Sequence, residues 1–129
     1  MTLSQDDSQW PIVVDTMIGE ATDEDIRGYN ARRGERLARA ERYAQVMDGR
    51  AGARLSARHR QMIADFDEGH RDAQRRYIAG VALVVSSALL RVLLNVIYRV
   101  TPSVFPRRPC RSIEEATSWA GGLLRNSPP

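Results

Sequence analysis

The chain is poor in several residue types, and cysteine is the scarcest of them. Cys110 is the single cysteine among 129 residues, so no disulfide can form within the chain, and a reducing compartment is favoured. The first residues, MTLSQDDSQW, lack both the positive start and the apolar run of a secretory signal. We therefore expect a cytoplasmic protein.

Lysine is missing altogether, because all 19 basic residues are arginines, against 16 acidic residues. A bias this complete is typical of a GC-rich coding genome and, by itself, does not indicate a polyanion-binding protein. Six arginines nevertheless fall in one predicted helix or directly after it, and acidic residues are interleaved with them: Glu24, Asp25, Glu35 and Glu41. A solvated helix surface is therefore favoured over a nucleic-acid site, although clustered arginines keep that alternative open.

The recognised catalytic and metal-binding motifs are also missing. The sequence contains no Gly-rich phosphate loop, nucleophile elbow or His-Glu-x-x-His pattern. His59 and His70 are eleven positions apart on one predicted helix, too far along it to share a metal. Cys110 has arginine neighbours that would activate a thiol, but a lone cysteine on a strand is typical of a small buried hydrophobe. We expect no enzyme activity, no cofactor and no metal site.

The most informative stretch runs from Tyr77 to Trp119. A β-branched run that ends at Ser86 and Ser87 predicts a strand, and an apolar helical pattern follows over Ala88–Val100. A short Phe/Arg/Pro stretch then predicts a strand before a last helix that starts at Ser112 and ends near Leu124. Strand, helix, strand and helix in alternation predict an α/β domain with a largely parallel sheet.

A membrane span is the competing interpretation of residues 77–100. These 24 residues carry only two charges, Arg91 and Arg99, and about 20 apolar residues suffice to cross a bilayer. However, Ser87, Arg91, Asn95 and Arg99 recur every four residues and form one polar stripe, as on a helix that packs on a sheet with one edge in water. The soluble strand–helix interpretation is therefore preferred.

The rest of the chain supplies further elements of one domain. Residues 10–19 and Tyr43–Met47 read as strands, and residues 23–41 and 57–77 read as helices. Capping boxes are predicted at Thr22 with Asp25, and at Ser112 with Glu115. We expect a domain over residues 10–125, with disordered ends at residues 1–9 and 126–129.

Several segments together resemble the STAS/SpoIIAA-like family, whose founding members are anti-sigma-factor antagonists. The matching segments are WPIVV (10–14), GEATDED (19–25), GVALVVSSALLR (80–91), PSVF (102–105) and SIEEATSW (112–119). The resemblance implies a small α/β fold with a single, largely parallel sheet of about four strands and about four helices. It also implies a non-catalytic regulatory or scaffolding role that is exerted through protein–protein contacts.

The chain departs from the family at the phosphorylation motif. Anti-sigma antagonists carry Asp-Ser-Ser/Thr-Gly before the helix that follows the central strand, whereas this chain has DGRAGARLS over 48–56. Ser56 is the nearest hydroxyl, and it reads first as a helix N-cap. A phosphate there would lie at a helix N-terminus beside Arg54, Arg58 and Arg60, so Ser56 is kept as a candidate phosphorylation site.

We therefore expect a bacterial, cytoplasmic interaction module whose partner is another protein or a second copy. The candidate partner surface is the arginine-rich first helix and the loop after Asp48: Arg32, Arg33, Arg36, Arg39, Arg50 and Arg54. The alternative is a carrier of a lipid or small apolar ligand in a pocket between sheet and helices, lined by the Ala88–Val100 helix. Nucleic-acid binding through the first helix, and membrane anchoring at 77–100, rank below these.

Overall fold

The structure is a computed structural model, and it describes residues 1–126. Within these residues, six strands and five helices follow one another in the order β1 (Thr2–Asp6), β2 (Ile12–Glu20), α1 (Asp23–Ala38), β3 (Tyr43–Asp48), β4 (Ala53–Arg54), α2 (Ala57–Gly69), α3 (Arg71–Tyr77), β5 (Ile78–Val84), α4 (Ala88–Val100), β6 (Arg107–Cys110) and α5 (Ile113–Arg125). The predicted α/β class is confirmed, with a strand count slightly higher than expected.

The sheet runs β1-β2-β3-β5-β6, and the two-residue strand β4 pairs with β2. Strands β2, β3, β5 and β6 are parallel, and β1 is antiparallel to β2. The expectation of a disordered segment at 1–9 is wrong, because residues 2–6 form the edge strand β1, with Thr2 opposite Ile18. The expected C-terminal disorder at 127–129 falls outside the described residues.

Both sheet faces carry a core because buried side chains alternate along the central strands. On one face, Val13, Tyr43 and Ile78 pack with Leu37 of α1, and Phe66 of α2 packs against this cluster. On the other face, Ala82, Val84 and Cys110 pack with Ala116 of α5. Helices α1 to α3 therefore lie on one side of the sheet and α5 on the other.

Helix boundaries follow from the side-chain caps. Thr22 and Asp25 form the complete capping box at the start of α1. At α5, Ser112 Oγ accepts from the N–H of Glu115 at 3.0 Å, but the Glu115 carboxylate accepts from the N–H of Arg111 instead of closing the box. The single helix predicted over 57–77 is interrupted at His70, which ends α2 and begins α3.

Candidate functional site

Helix α4 has the predicted limits but not the predicted environment. Ser87 Oγ accepts from the N–H of Leu90 at 3.1 Å and caps its start, and Pro102 follows its last residues. We expected this helix to pack its apolar face on the sheet with only a polar stripe in water. That expectation is wrong, because none of its thirteen residues is buried.

Two arginines tie α4 to the rest of the molecule. Arg91 Nη1 donates to the carbonyl oxygens of Val85, at 2.8 Å, and Ser86, at 3.1 Å. Arg107 of β6 lies over the ring of Tyr98, 4.4 Å from its centre, and donates to the Thr101 carbonyl at 2.6 Å. Arg91, a member of the predicted polar stripe, therefore faces the body of the protein. The apolar arc of α4 faces solvent.

We name this exposed arc the α4 apolar face. Its side chains are 42–76% exposed, and its members are Leu89, Leu90, Val92, Leu93, Val96, Ile97 and Val100. Scattered apolar side chains on a surface need no explanation, but a contiguous patch of this kind marks an interaction site on a folded protein. No helix within residues 1–126 is long and apolar enough to cross a membrane.

The charges around this face are all of one sign in sequence. Between Asp72 and Glu114 the chain has no acidic residue, and it has seven arginines. Two of these, Arg91 and Arg99, lie on α4 itself. Helix α4 therefore carries positive charge only, whereas Glu115 of α5 lines a groove with Arg91 and Val92 at one edge of the helix.

Beside α4 lies a cleft of about 630 Å³. Its floor comes from the α1-side face of the sheet, through Gln45 and Met47 of β3 and Val81 and Leu83 of β5. One wall is built by α1, α2 and α3, and the other by Tyr98 and the loop over residues 101–105. Of helix α4, Tyr98 lines this cleft, and the carrier role stays a prediction.

Arg33, in the wall of the cleft, contacts two aromatic rings and one carboxylate. Its guanidinium lies 5.1 Å from the ring centre of Tyr29 and 4.5 Å from that of Phe66, and it pairs with the carboxylate of Asp67. Asp67 also accepts from Gln74 Nε2 at 2.9 Å. These contacts fix a polar wall whose charges balance one another.

Behind the cleft is a buried polar network centred on Arg36, which is 1% exposed. Its guanidinium donates to both oxygens of Asp15, at 2.8 and 2.7 Å, and to Asp7 Oδ1. Gln45 Nε2 donates to Asp15 at 2.8 Å and to the hydroxyl of Tyr29 at 3.3 Å. We call these five residues the buried network.

Ionisation in the buried network follows from its geometry. Burial lowers the pKa of Arg36, but hydrogen bonds to the carboxylates of Asp15 and Asp7 outweigh that effect and raise it overall. Burial also raises the pKa of the Tyr29 phenol, and it raises that of Tyr43 to about 12. Arg36 stays cationic and both tyrosines stay neutral at physiological pH, so the network is a fixed structural element.

The structure corrects the predicted arginine surface. Arg36 does not belong to it, because its guanidinium is buried against Asp15, and Arg33 has a side chain only 11% exposed. The remaining four are exposed: Arg32, Arg39, Arg50 and Arg54. Three of these pair with carboxylates, Arg32 with Asp7 and Glu35, Arg39 with Glu41, and Arg50 with Asp48. Whether these residues bind a partner stays a prediction.

The other residues singled out in the sequence lie apart from one another. Ser56 Oγ accepts from the N–H of His59 at 3.1 Å, as the predicted N-cap should, and its phosphorylation stays a prediction. His59 Nε2 pairs with Asp23 at 2.8 Å, whereas the ring of His70 stacks on Phe66. Within residues 1–126, no three histidine, cysteine or acidic side chains lie close enough to hold a metal ion.

Cys110 is fully buried and behaves as a small hydrophobic residue of the α5-side core. Burial raises the pKa of its thiol, with a further increase from Glu115, so the neighbouring arginines do not activate it. Asp48, at the end of β3, has its pKa lowered by the guanidinium of Arg50. Neither side chain forms part of the cleft floor.

Comparisons with known proteins identify the fold. No protein-family model and no curated protein matches the sequence. Among solved structures, the chain is similar to an uncharacterized protein from the DUF3478 family with a SpoIIAA-like fold, from Shewanella loihica PV-4. The TM-score is 0.69 at 16% sequence identity, and the match covers 92% of each chain. The protein therefore has a SpoIIAA-like α/β fold.

Proposed function

We propose that this protein is a non-catalytic regulatory module that acts in the bacterial cytoplasm by binding another protein. We further propose that the α4 apolar face is the docking element. The observation that carries the proposal is the exposure of seven large apolar side chains on one helix of a folded domain. The SpoIIAA-like fold supports an interaction role at the level of fold alone.

The charge of α4 indicates the chemistry of the partner. The helix that carries the apolar face has two arginines and no acidic residue, so its charge complements an apolar stripe with acidic flanks. An amphipathic helix of another protein provides such a stripe, with apolar residues spaced three and four positions apart. We therefore commit to an acidic amphipathic helix as the occupant.

A second copy of this chain fits less well. Two α4 helices packed face to face would place two helices of net positive charge against each other, with no acidic residue on either helix to balance them.

The test uses a labelled model helix of about 15 residues, stapled to hold its conformation, with leucines on one face and glutamates on both flanks. A second peptide has the same leucines and lysine flanks. Fluorescence anisotropy should show binding of the glutamate peptide only, weakened by salt. The variant Leu93→Gln/Val96→Gln should abolish that binding, whereas Arg32→Glu/Arg39→Glu on α1 should leave it unchanged.

Three outcomes would overturn the proposal. Loss of binding in the α1 variant alone would mean that the arginines of α1, and not α4, form the docking surface. Concentration-dependent dimerisation that disappears in the α4 variant, measured by analytical ultracentrifugation, would make a second copy the occupant. Cosedimentation with phosphatidylglycerol vesicles, without binding of either peptide, would make it a lipid surface.

A further inference from the structure

The cleft beside α4 has features that a protein-docking surface does not require. Its apolar floor is formed by two neighbouring parallel strands, in which Met47 is the register partner of Leu83, and Gln45 that of Val81. Register partners on adjacent strands project to the same side of a sheet, so Met47, Val81 and Leu83 form one continuous apolar strip. All three side chains are only half-buried because the cleft is open above them.

The size of the cleft is that of a small-molecule site. Its volume of about 630 Å³ falls within the range of roughly 300–1,000 Å³ that ligand pockets occupy. Ile63 of α2 and Phe105 of the opposite wall add apolar surface above the floor. An aliphatic chain or an aromatic ring would bury its surface between these walls.

One cation at the rim is not balanced by a carboxylate. Of the three arginines that line the cleft, Arg33 pairs with Asp67, and Arg71 lies 3.9 Å from Glu68. Arg107 contacts the carbonyl of Thr101 and the ring of Tyr98, and within residues 1–126 it forms no ion pair. It is the register partner of Val81, so its charge lies directly beside the apolar strip.

We propose that this cleft binds an amphipathic organic anion, an aliphatic or aromatic carboxylate. The apolar body of the ligand lies on Met47, Val81 and Leu83, and its carboxylate accepts hydrogen bonds from the Arg107 guanidinium. A guanidinium recognises a carboxylate through charge-assisted and bidentate hydrogen bonds, which a neutral ligand cannot match. The sequence suggested a carrier of apolar ligands, and the unbalanced Arg107 changes the ligand class to an anion. The inference is independent of the docking role of α4.

The probe is decanoate, compared with decanol and decyltrimethylammonium as ligands of the same chain length without the negative charge. Isothermal titration calorimetry should show decanoate binding most tightly. Arg107→Gln should weaken decanoate binding about tenfold or more, because a hydrogen bond to a charged group is lost, and leave decanol binding unchanged. Arg108→Gln is the matched control, because Arg108 is exposed, alternates to the opposite face of β6 and does not line the cleft.

A second variant tests the location independently of charge. Ala64→Trp places a large side chain in the cleft from an exposed helical position and should block decanoate while the thermal unfolding midpoint is retained. Leu93→Gln/Val96→Gln removes the α4 apolar face and should leave decanoate binding intact.

Four results would overturn the inference. They are equal affinity for decanoate and decanol, equal losses in the Arg107 and Arg108 variants, loss of decanoate binding in the α4 variant, and absence of decanoate binding. None of them bears on the peptide binding that tests α4 docking, so each proposal can fail alone.

Discussion

Two regions of the molecule differ in where they place charged and apolar side chains. Next to β2 and β3, Arg36 is buried against Asp15 with its hydrogen-bonding groups engaged by two carboxylates. Next to β6, seven apolar side chains of α4 face solvent. A polar group is tolerated inside because it is paired with groups of opposite charge.

The two regions are expected to contribute to different properties, the buried network to the stability of the fold and α4 to binding. The buried network joins β2, β3 and α1 with the loop at Asp7, so the folded core depends on it. Helix α4 meets the body through Arg91, Arg107 and the ring of Tyr98, and none of its residues is buried. Substitutions in the buried network should therefore change the free energy of unfolding, and substitutions on α4 should change binding.

The largest effect is expected from Arg36→Met. Removing the guanidinium leaves the fully buried Asp15 carboxylate without its cation, which costs about 3–5 kcal/mol of the free energy of unfolding. Urea denaturation measures the loss. The matched control is Arg32→Met on the same helix, where the side chain is 47% exposed and the cost should stay below about 0.5 kcal/mol.

A second variant distinguishes an unpaired charge from lost packing. Asp15→Leu combined with Arg36→Met removes both charges, so it should be less destabilising than Arg36→Met alone. If the double variant is the less stable of the two, the harm comes from the lost hydrogen bonds of Gln45 and Asp7. An Arg36→Met protein as stable as the Arg32→Met control would show that the pair contributes nothing.

The next largest effect tests how tightly α5 packs on the sheet. A Cβ at Gly80 would lie 2.5 Å from Leu123 Cδ1, 3.0 Å from the Trp119 ring and 3.3 Å from the Pro106 carbonyl oxygen. Gly80→Ala should therefore cost about 1–3 kcal/mol through overpacking, measured by the same denaturation. Gly28→Ala on α1 is the control, because its Cβ would meet nothing within 4 Å, and it should stabilise the protein by about 0.5–1 kcal/mol.

Two N-caps of the same chemistry should give different readouts. Thr22→Ala removes the cap of α1, which carries core residues, and should cost about 1 kcal/mol of global stability. Ser87→Ala removes the cap of α4, which buries no residue, and should leave the denaturation midpoint unchanged while amide exchange in α4 accelerates. Equal global losses in the two variants would mean that α4 unfolds together with the core.

Much of the fold is predictable from the sequence because strand and helix signals in this chain are local. The limits of α4 follow from Ser87 and Pro102, and α1 begins at the capping box of Thr22. Strand β1 is not predictable in this way, because TLSQD has no apolar alternation and its pairing with β2 is a long-range contact.

The candidate sites depend on tertiary placement, which one sequence does not display. Arg36 resembles the other arginines of α1 in sequence, and only the partner at Asp15 makes it a buried residue. The apolar pattern of α4 predicts a buried face because most amphipathic helices bury that side. The cleft joins Gln45, Val81 and Arg107, residues too far apart in sequence to be grouped without the structure.

The smallest effect on stability is expected where the largest effect on binding is proposed. Leu93 and Val96 are 50% and 52% exposed, so Leu93→Gln/Val96→Gln should change the free energy of unfolding by less than about 0.5 kcal/mol per site. The control is Ile26→Ala on α1, fully buried, which should cost about 2–5 kcal/mol. Denaturation at two protein concentrations completes the measurement. A double variant as costly as Ile26→Ala would mean that the α4 apolar face is covered in solution. If that cost grows with protein concentration, a second copy covers the face, and if it does not, the covering surface belongs to the same chain.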